Sequence, residues 1–542
     1  MKKKNFYKIS VLLILMVSVV FTGCKDDDTW EYPYLFRPIN FTAELNKTQV
    51  TLSWSEIENA ESYTLQISKD SLDFSNAIID TVITNGHQFI QEMEGKITFH
   101  ARVRANSTDT TKNSKFNQIS FKTPAENLFE GYTSEMIAWE TIQLNWTAAA
   151  NVTDIKITDL NNSATVEHLT TEQIANGQLT ISNLPKSTYT IEILRNDIVR
   201  GTVNVLVEGD VFVPIGGDLI AAITNASAGQ VIVLEKGGVF GTGSNTIRFD
   251  KNIRIKGESP SILSIVAMTQ GTPSTTASMI GFTENSVFDK LSFENIDFTG
   301  YCDNLNTNTK IGYFINNNLK FTLSKLSLNN CVLRNFGNTP FRLQGGKNQV
   351  IDTLDVKKTT ISDIGFTSTY AIVNINTADD VKNIFFENCT FNNFKGSLIL
   401  RTASSTVVSN LNRVSIINCN IYKGMQDTNS ARYLFDFNGA LIASGVTIRN
   451  SIFGLTGTTS KGANGIRFAT NTPLTVSGSY YTSDYVDDPI PVVPDVTTSL
   501  KSKMTIYTGT SNSLWTDPTN GDFSILDSGF AGKSSAGDPR WR

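Results

Sequence analysis

The chain carries little charge for its length and almost no histidine. Asp, Glu, Lys and Arg make up 18% of its 542 residues, alongside three histidines and five cysteines. No basic stretch lies beyond the N-terminus, so nucleic acid has no electrostatic footprint to meet. No Cys-x-x-Cys pair exists, which removes the usual spacing of a structural zinc site. Beyond Phe21 no apolar run is long enough to span a bilayer.

What is present is Asn, Thr, Ser and Phe, a mix that suits strands and turns better than helices. The length predicts roughly two to four domains. A hydrophobic content of 40% is enough to fill real cores. The expected fold class is all-β.

The N-terminus reads "MKKKNFYKISVLLILMVSVVFTGCKDDD". Lysines 2, 3, 4 and 8 precede an apolar run from Val11 to Phe21 that is too short for a membrane helix, so residues 1–23 read as an export signal. Thr22-Gly23-Cys24 resembles a bacterial lipoprotein cleavage box, which implies lipidation at Cys24. The alternative is an ordinary signal peptide with an incidental cysteine. Removing residues 1–23 takes away four lysines and no acids, so the net charge of −5 becomes −9. Lys25-Asp26-Asp27-Asp28 is similar to the acidic export tag of surface lipoproteins, and this implies an outer-membrane, cell-surface location. Residues 24–37 would then be a lipidated tether.

From residue 38 the pattern becomes short alternating strands. In "QVTLSWSEIENAESYTLQISKD", Leu52 and Trp54 alternate, as do Tyr63, Leu65 and Ile67. Phe99, Ala101 and Val103 follow the same rule, which predicts a small sandwich over 38–124. The pattern resembles a fibronectin type III domain with Trp54 in its core. "TIQLNWTAAANVTDIKITDL" places Trp146 as Trp54 is placed, so residues 125–208 are expected to form a second immunoglobulin-like sandwich.

At Gly209 the character changes. Asp218 is placed to cap a short amphipathic turn, "LIAAITNA", and the strand "QVIVLE" follows. This resembles the opening of a right-handed parallel β-helix of the pectate-lyase-like type, here spanning 209–480. A repeat supports it. One column holds Asn295, Asn330, Lys358, Asn388, Asn418 and Asn450. The next holds Ile296, Cys331, Thr359, Cys389, Cys419 and Ser451, and a glycine closes each turn. Asn tolerates the left-handed backbone of a sharp corner, and stacked Asn side chains can form a ladder between coils. A further strand set, "GYFINN", "PFRLQG", "YAIVNIN", "SLILRT", "YLFDFNG" and "GIRFAT", lies between. Residues 481–542 are expected to cap the last coil with Trp515, Phe523, Leu526, Phe530 and Trp541. This terminal segment resembles that of surface lipoproteins from bacterial polysaccharide-utilisation systems, a family mostly of unknown function.

The cysteines read as packing in a column of small residues, although Cys389 and Cys419, on adjacent coils, are near enough for a disulfide. No metal site is expected. His87, His100 and His168 all lie in the sandwich region, so the β-helix lacks the histidine that polygalacturonase-like hydrolases of this fold keep. A calcium-dependent lyase needs stacked carboxylates and a Lys or Arg base. Asp352, Asp355, Asp363, Glu387 and Asp436 form no column. Lys395 and Lys423 align before the closing glycine and would be the base candidates; the plainer reading is two solvated turn lysines. Alternation places Arg342, Arg401, Asp436 and Arg467 outward, with Asn374 between the first two. Such a stripe suits bidentate binding of uronate carboxylates; the plainer reading is a charged, soluble face.

Three functions remain open. The first is a non-catalytic surface glycan-binding lipoprotein for acidic, pectin-like plant polysaccharide, with no cofactor and an outer-membrane glycan importer as a possible partner. The second is a polysaccharide lyase using calcium. The third is an adhesin or structural surface protein.

Overall fold

The computed structural model describes residues 34–542, apart from 269–275, 303–304, 344–346, 369, 377–378, 403–410, 428–431, 438–439, 458–463 and 489–495. The expected export signal, the expected lipidation at Cys24 and the expected acidic tag lie outside the described residues.

Two sandwiches come first, each with three strands facing four. In the first, Thr42–Asn46, Gln49–Ser53 and Gln88–Glu92 form one sheet. Ile79–Ile83, Ser62–Ser68, Thr98–Asn106 and Asn117–Lys122 form the other. Alternation decides which side chains meet: Tyr63, Leu65, Ile67, Phe99, Ala101 and Val103 are all buried. Trp54 packs edge-on against Tyr63 at 5.3 Å and Phe41 at 6.1 Å. The second sandwich repeats this arrangement. Glu135–Ala138, Thr141–Asn145 and Gln178–Ile181 face Ala164–His168, Asp154–Thr158, Ser187–Arg195 and Ile198–Val207 around Trp146.

Both junctions are clasped by ion networks. Arg200 of the second sandwich binds Glu126 at 2.8 Å and approaches Glu92 of the first at 3.5 Å. Glu208, leaving the second sandwich, binds Arg254 at 2.6 Å and Lys256 at 3.1 Å in the following domain. Trp139 stacks on Phe212 across the same junction, 5.1 Å between rings. Buried pairs of this kind add little net stability, but they penalise any orientation that leaves one charge alone.

The third domain is a parallel β-helix. Its opening helix, Leu219–Asn225, is capped by Asp218, whose Oδ1 accepts the Ala221 amide at 2.9 Å. Leu219 and Ile223 seal the core beneath it. Among the described residues, three stacked sheets of ten, ten and nine strands follow, numbered 1 to 3 in the order the chain visits them. One coil cannot bury its own apolar face, so stability comes from neighbours stacking. The stack is rich in phenylalanine; Phe282 and Phe321 lie 4.0 Å apart, and Phe314 packs against Phe298, Phe336 and Phe341.

The corner between sheets 1 and 2 explains the asparagine column. Asn295, Asn330, Asn388, Asn418 and Asn450 all adopt φ between 51° and 57°, and Lys358 joins them at 47°. Two adjacent pairs ladder through their side chains: Asn330 Nδ2 donates to Asn295 Oδ1 at 2.8 Å, and Asn418 Nδ2 to Asn388 Oδ1 at 2.9 Å. The following residues, Cys331, Cys389 and Cys419 included, are fully buried. The longest interval in the column, Asn295 to Asn330, is explained by an inserted hairpin, Tyr301–Cys302 against Asn306–Lys310.

The C-terminal segment differs from the expected end cap. Strands of sheet 2 continue to Thr505–Tyr507, and Val496–Thr498 closes sheet 3 antiparallel to Ile466–Phe468. Residues beyond Ser511 then turn back along the outer face of sheet 2. Trp515 packs on Tyr422 and Phe523, and its ring lies over Gly454, where an added Cβ would come within 2.6 Å. Asp538 and Trp541 both bond Thr390 at 2.9 Å, and Gly537 N reaches Asn450 O at 2.8 Å. The segment is therefore a lateral clamp across several coils. Leu526 plays no part in it, being 59% exposed.

Candidate functional site

Strand pairing decides which predicted residues share a row on sheet 3. Asn316 lies beside Arg342, Arg342 beside Asn374, and Asn374 beside Leu400. Leu400 then pairs with Asp436, and Asp436 with Arg467. Arg342, Asn374, Asp436 and Arg467 thus form one outward row, as alternation predicts. Arg401 does not belong to it. It pairs with Ile375, on the inward row, and is 1% exposed. Burial lowers its pKa, opposed by the nearby charges of Asp380 and Asp379. The reason is a one-residue offset: Leu400, not Arg401, stands opposite Asn374, and a slip of one reverses every side chain.

The row is not uniform chemically. Arg467 is engaged by Asp436, with Nε at 2.7 Å and Nη2 at 2.6 Å from the same oxygen, and it lies over the Tyr433 ring. Arg342 is different. Its guanidinium sits 4.3 Å from the Tyr370 ring and 5.5 Å from the Tyr313 ring, and Nη1 donates to the Tyr313 hydroxyl at 3.0 Å. No carboxylate among the described residues pairs with it. Burial pushes the Tyr313 phenol up, opposed by that guanidinium, so the ring stays a neutral acceptor. On either side along the coil axis, the Oδ1 atoms of Asn316 and Asn374 are buried without a donor. Asn374 is 7% exposed. Orphaned buried acceptors of this kind are uncommon.

Tyr313 and Tyr370 were not anticipated. The available signal was a tyrosine near the start of three strand strings, "GYFINN", "YAIVNIN" and "YLFDFNG".

The lysines do not form a pair. Asn392 lies opposite Tyr422, which sets Asn393, not Lys395, against Lys423. Asn393 and Lys423 share a second left-handed corner with Asn335 and Asp363. Lys423 Nζ lies within 3.5 Å of Thr519 in the C-terminal clamp. The helix carboxylates are dispersed, each with its own partner: Asp352 with Lys382, Asp355 with Lys325, Glu387 with Lys357, and Asp363 with the Asn393 amide. Among the described residues no three His, Cys, Asp or Glu side chains converge as a metal site requires. His168 bonds Asp154 within the second sandwich, and His100 bonds Ser120 in the first. Cys302, Cys331, Cys389 and Cys419 are buried thiols outside any disulfide. Burial pushes Cys331 up to about 12 and Cys419 well above the usual thiol range, the latter also raised by Cys389. Such thiols are poor nucleophiles.

Fold and site together define an all-β protein: two fibronectin type III-like sandwiches carrying a parallel β-helix with an aromatic-flanked arginine on one face. Residues 384–541 match a family model described as Domain of unknown function (DUF5123). That match covers the later coils and the whole clamp. Among solved structures, a two-domain fibronectin type III segment of chicken tenascin is 13% identical, covering 31% of this chain and 97% of its own, with a TM-score of 0.17. The FN1–FN3 segment of chicken CNTN1 is 11% identical, covering 32% and 68%, with a TM-score of 0.15. The sandwich assignment rests on the strand pairing. No curated protein matches.

Proposed function

We propose that this protein is a non-catalytic, surface-anchored glycan-binding protein whose β-helix holds an acidic, pectin-like polysaccharide against the outer face of sheet 3. The observation that carries this reading is Arg342, set between Tyr313 and Tyr370 and flanked by Asn316 and Asn374, with no carboxylate partner among the described residues. A guanidinium presents paired N–H groups that match a uronate carboxylate. Aromatic faces receive the apolar side of a pyranose. A lipid at Cys24 would tether the chain to the outer membrane, the clasped sandwiches would serve as a stalk, and a glycan importer in that membrane would take up what the helix holds. The lyase alternative lacks support in the geometry, because Lys395 and Lys423 occupy different rows.

Affinity electrophoresis of purified protein through gels containing a panel of polysaccharides tests the proposal, with a parallel assay for unsaturated product on polygalacturonate plus calcium. Retardation by polygalacturonate that is lost in Arg342→Ala, without product, is expected. Product formation, or full retardation of the variant, overturns the proposal.

A further inference from the structure

The inserted hairpin brings a second cation into a similar setting. Tyr301 and Lys310 are paired across its two strands. Lys310 Nζ lies 5.1 Å from the Tyr301 ring and 5.3 Å from the Phe366 ring. No carboxylate among the described residues pairs with Lys310. Phe366 is 47% exposed, an unusual cost for a large apolar ring unless something covers it. The hairpin belongs to the coil of Asn295 and Phe366 to that of Lys358, so the contact reaches across the intervening coil.

This cluster is continuous with the Arg342 site. Lys310 is three residues before Tyr313, and Phe366 four before Tyr370, so the same two segments supply both. Backbone bonds tie the segments together: Ile311 N to Gly300 O at 2.9 Å, Gly337 N to Ile311 O at 2.9 Å, and Thr367 N to Gly337 O at 2.7 Å. Tyr313 and Tyr370 lie 6.3 Å apart, ring to ring. The result is two cations on linked segments, each set against two aromatic rings. At the other end of the row Arg467 is already neutralised by Asp436.

We infer that Lys310, Tyr301 and Phe366 form a second subsite for the same anionic polysaccharide, taking the sugar that follows the one held at Arg342. This rests on the glycan-binding reading and fixes the direction of the bound chain: from Arg342 around the corner towards the hairpin, away from Arg467. The ligand class is a chain with a negative charge on successive sugars, since both positions present a cation. Phe366 supplies the stacking face and Lys310 the charge.

The test compares monomeric galacturonate with polygalacturonate by calorimetric titration of the intact protein, using Phe366→Ala, Lys310→Gln and Arg342→Ala, with near-ultraviolet circular dichroism confirming the fold. Phe366→Ala and Lys310→Gln should each weaken polygalacturonate binding about tenfold, the loss of one stacking or cation contact, and leave galacturonate, which fills the Arg342 site alone, within about twofold. Arg342→Ala should weaken both. If Arg342→Ala abolishes binding while Phe366→Ala and Lys310→Gln leave polygalacturonate unchanged, the second subsite is wrong and the first stands. If Arg342→Ala changes nothing, or the wild type binds neither probe, the glycan-binding reading itself fails.

Discussion

Replacing Trp515 by alanine separates a lateral clamp from an end cap. Trp515 is fully buried, and it makes edge-on contacts with Tyr422 at 5.9 Å and Phe523 at 5.1 Å. Truncating a buried tryptophan costs about 3–5 kcal/mol, and the two aromatic contacts belong to that loss. Its indole nitrogen has no hydrogen-bond partner, so the cost is packing alone. Trp515→Phe should accordingly be much milder. Because the chain has several domains, a single unfolding free energy is a poor readout. Hydrogen exchange resolved by peptide is better. If residues 511–542 lie along sheet 2, their release opens Thr390–Phe394, Asn420–Tyr422 and Ile452–Phe453 together. At tenfold per 1.4 kcal/mol, amide protection there should fall by roughly two to three and a half powers of ten. Faster exchange confined to Tyr480–Thr482 and Thr505–Tyr507, with the earlier coils unchanged, would refute the clamp.

Two further outcomes follow from buried charges. Arg401→Met strips the cation from beside Asp379 and Asp380 and should cost about 3–5 kcal/mol of local stability, read by thermal melting. Polygalacturonate retardation well below the melting temperature should be unchanged, and its loss in a folded variant would return Arg401 to the outward row. Burial holds the Asp487 carboxyl above the usual range, despite donation from the Leu500 amide at 2.6 Å and the Ser499 hydroxyl at 3.2 Å. Buried Tyr485 and nearby Lys501 are the titratable groups that face it. A raised folded-state pKa means the folded chain binds the proton more tightly than the unfolded one. The stability it contributes is present below the unfolded pKa and lost as pH rises through the folded one. Asp487→Asn should therefore gain on the wild type in melting temperature as pH rises from mildly acidic to neutral; a constant difference across that range contradicts this.

The corner residues were legible because the left-handed backbone restricts which side chains can occupy it, and Asn carries that restriction as a visible column. The sandwiches were legible for a similar reason: period-2 burial around Trp54 and Trp146 leaves a pattern in one strand at a time. The site was less so. Arg342 and Arg401 occupy similar strings, "PFRLQG" and "SLILRT", yet Arg342 is nine residues beyond Leu333 and Arg401 ten beyond Phe391, the residue in register with Leu333, so their rows differ by one. That offset is a property of pairing between coils and has no local signature. The pairing of Lys395 with Lys423 failed in the same way, by two residues. The apolar residues of the tail were visible, but apolarity does not say which face they cover. Tyr313 and Tyr370 acquire meaning only once stacking sets them beside Arg342.

Recognition of carboxylate at Arg342 is tested most directly by changing the ligand's charge and nothing else. The measurement is the retardation of the wild-type protein by polygalacturonate beside the same polymer fully methyl-esterified. Esterification keeps the sugar backbone and its hydroxyls but removes the anion that a guanidinium would bind. Strong retardation by the acid form and almost none by the ester is the expected result. Equal retardation by both, or by neither, would contradict a site built on Arg342.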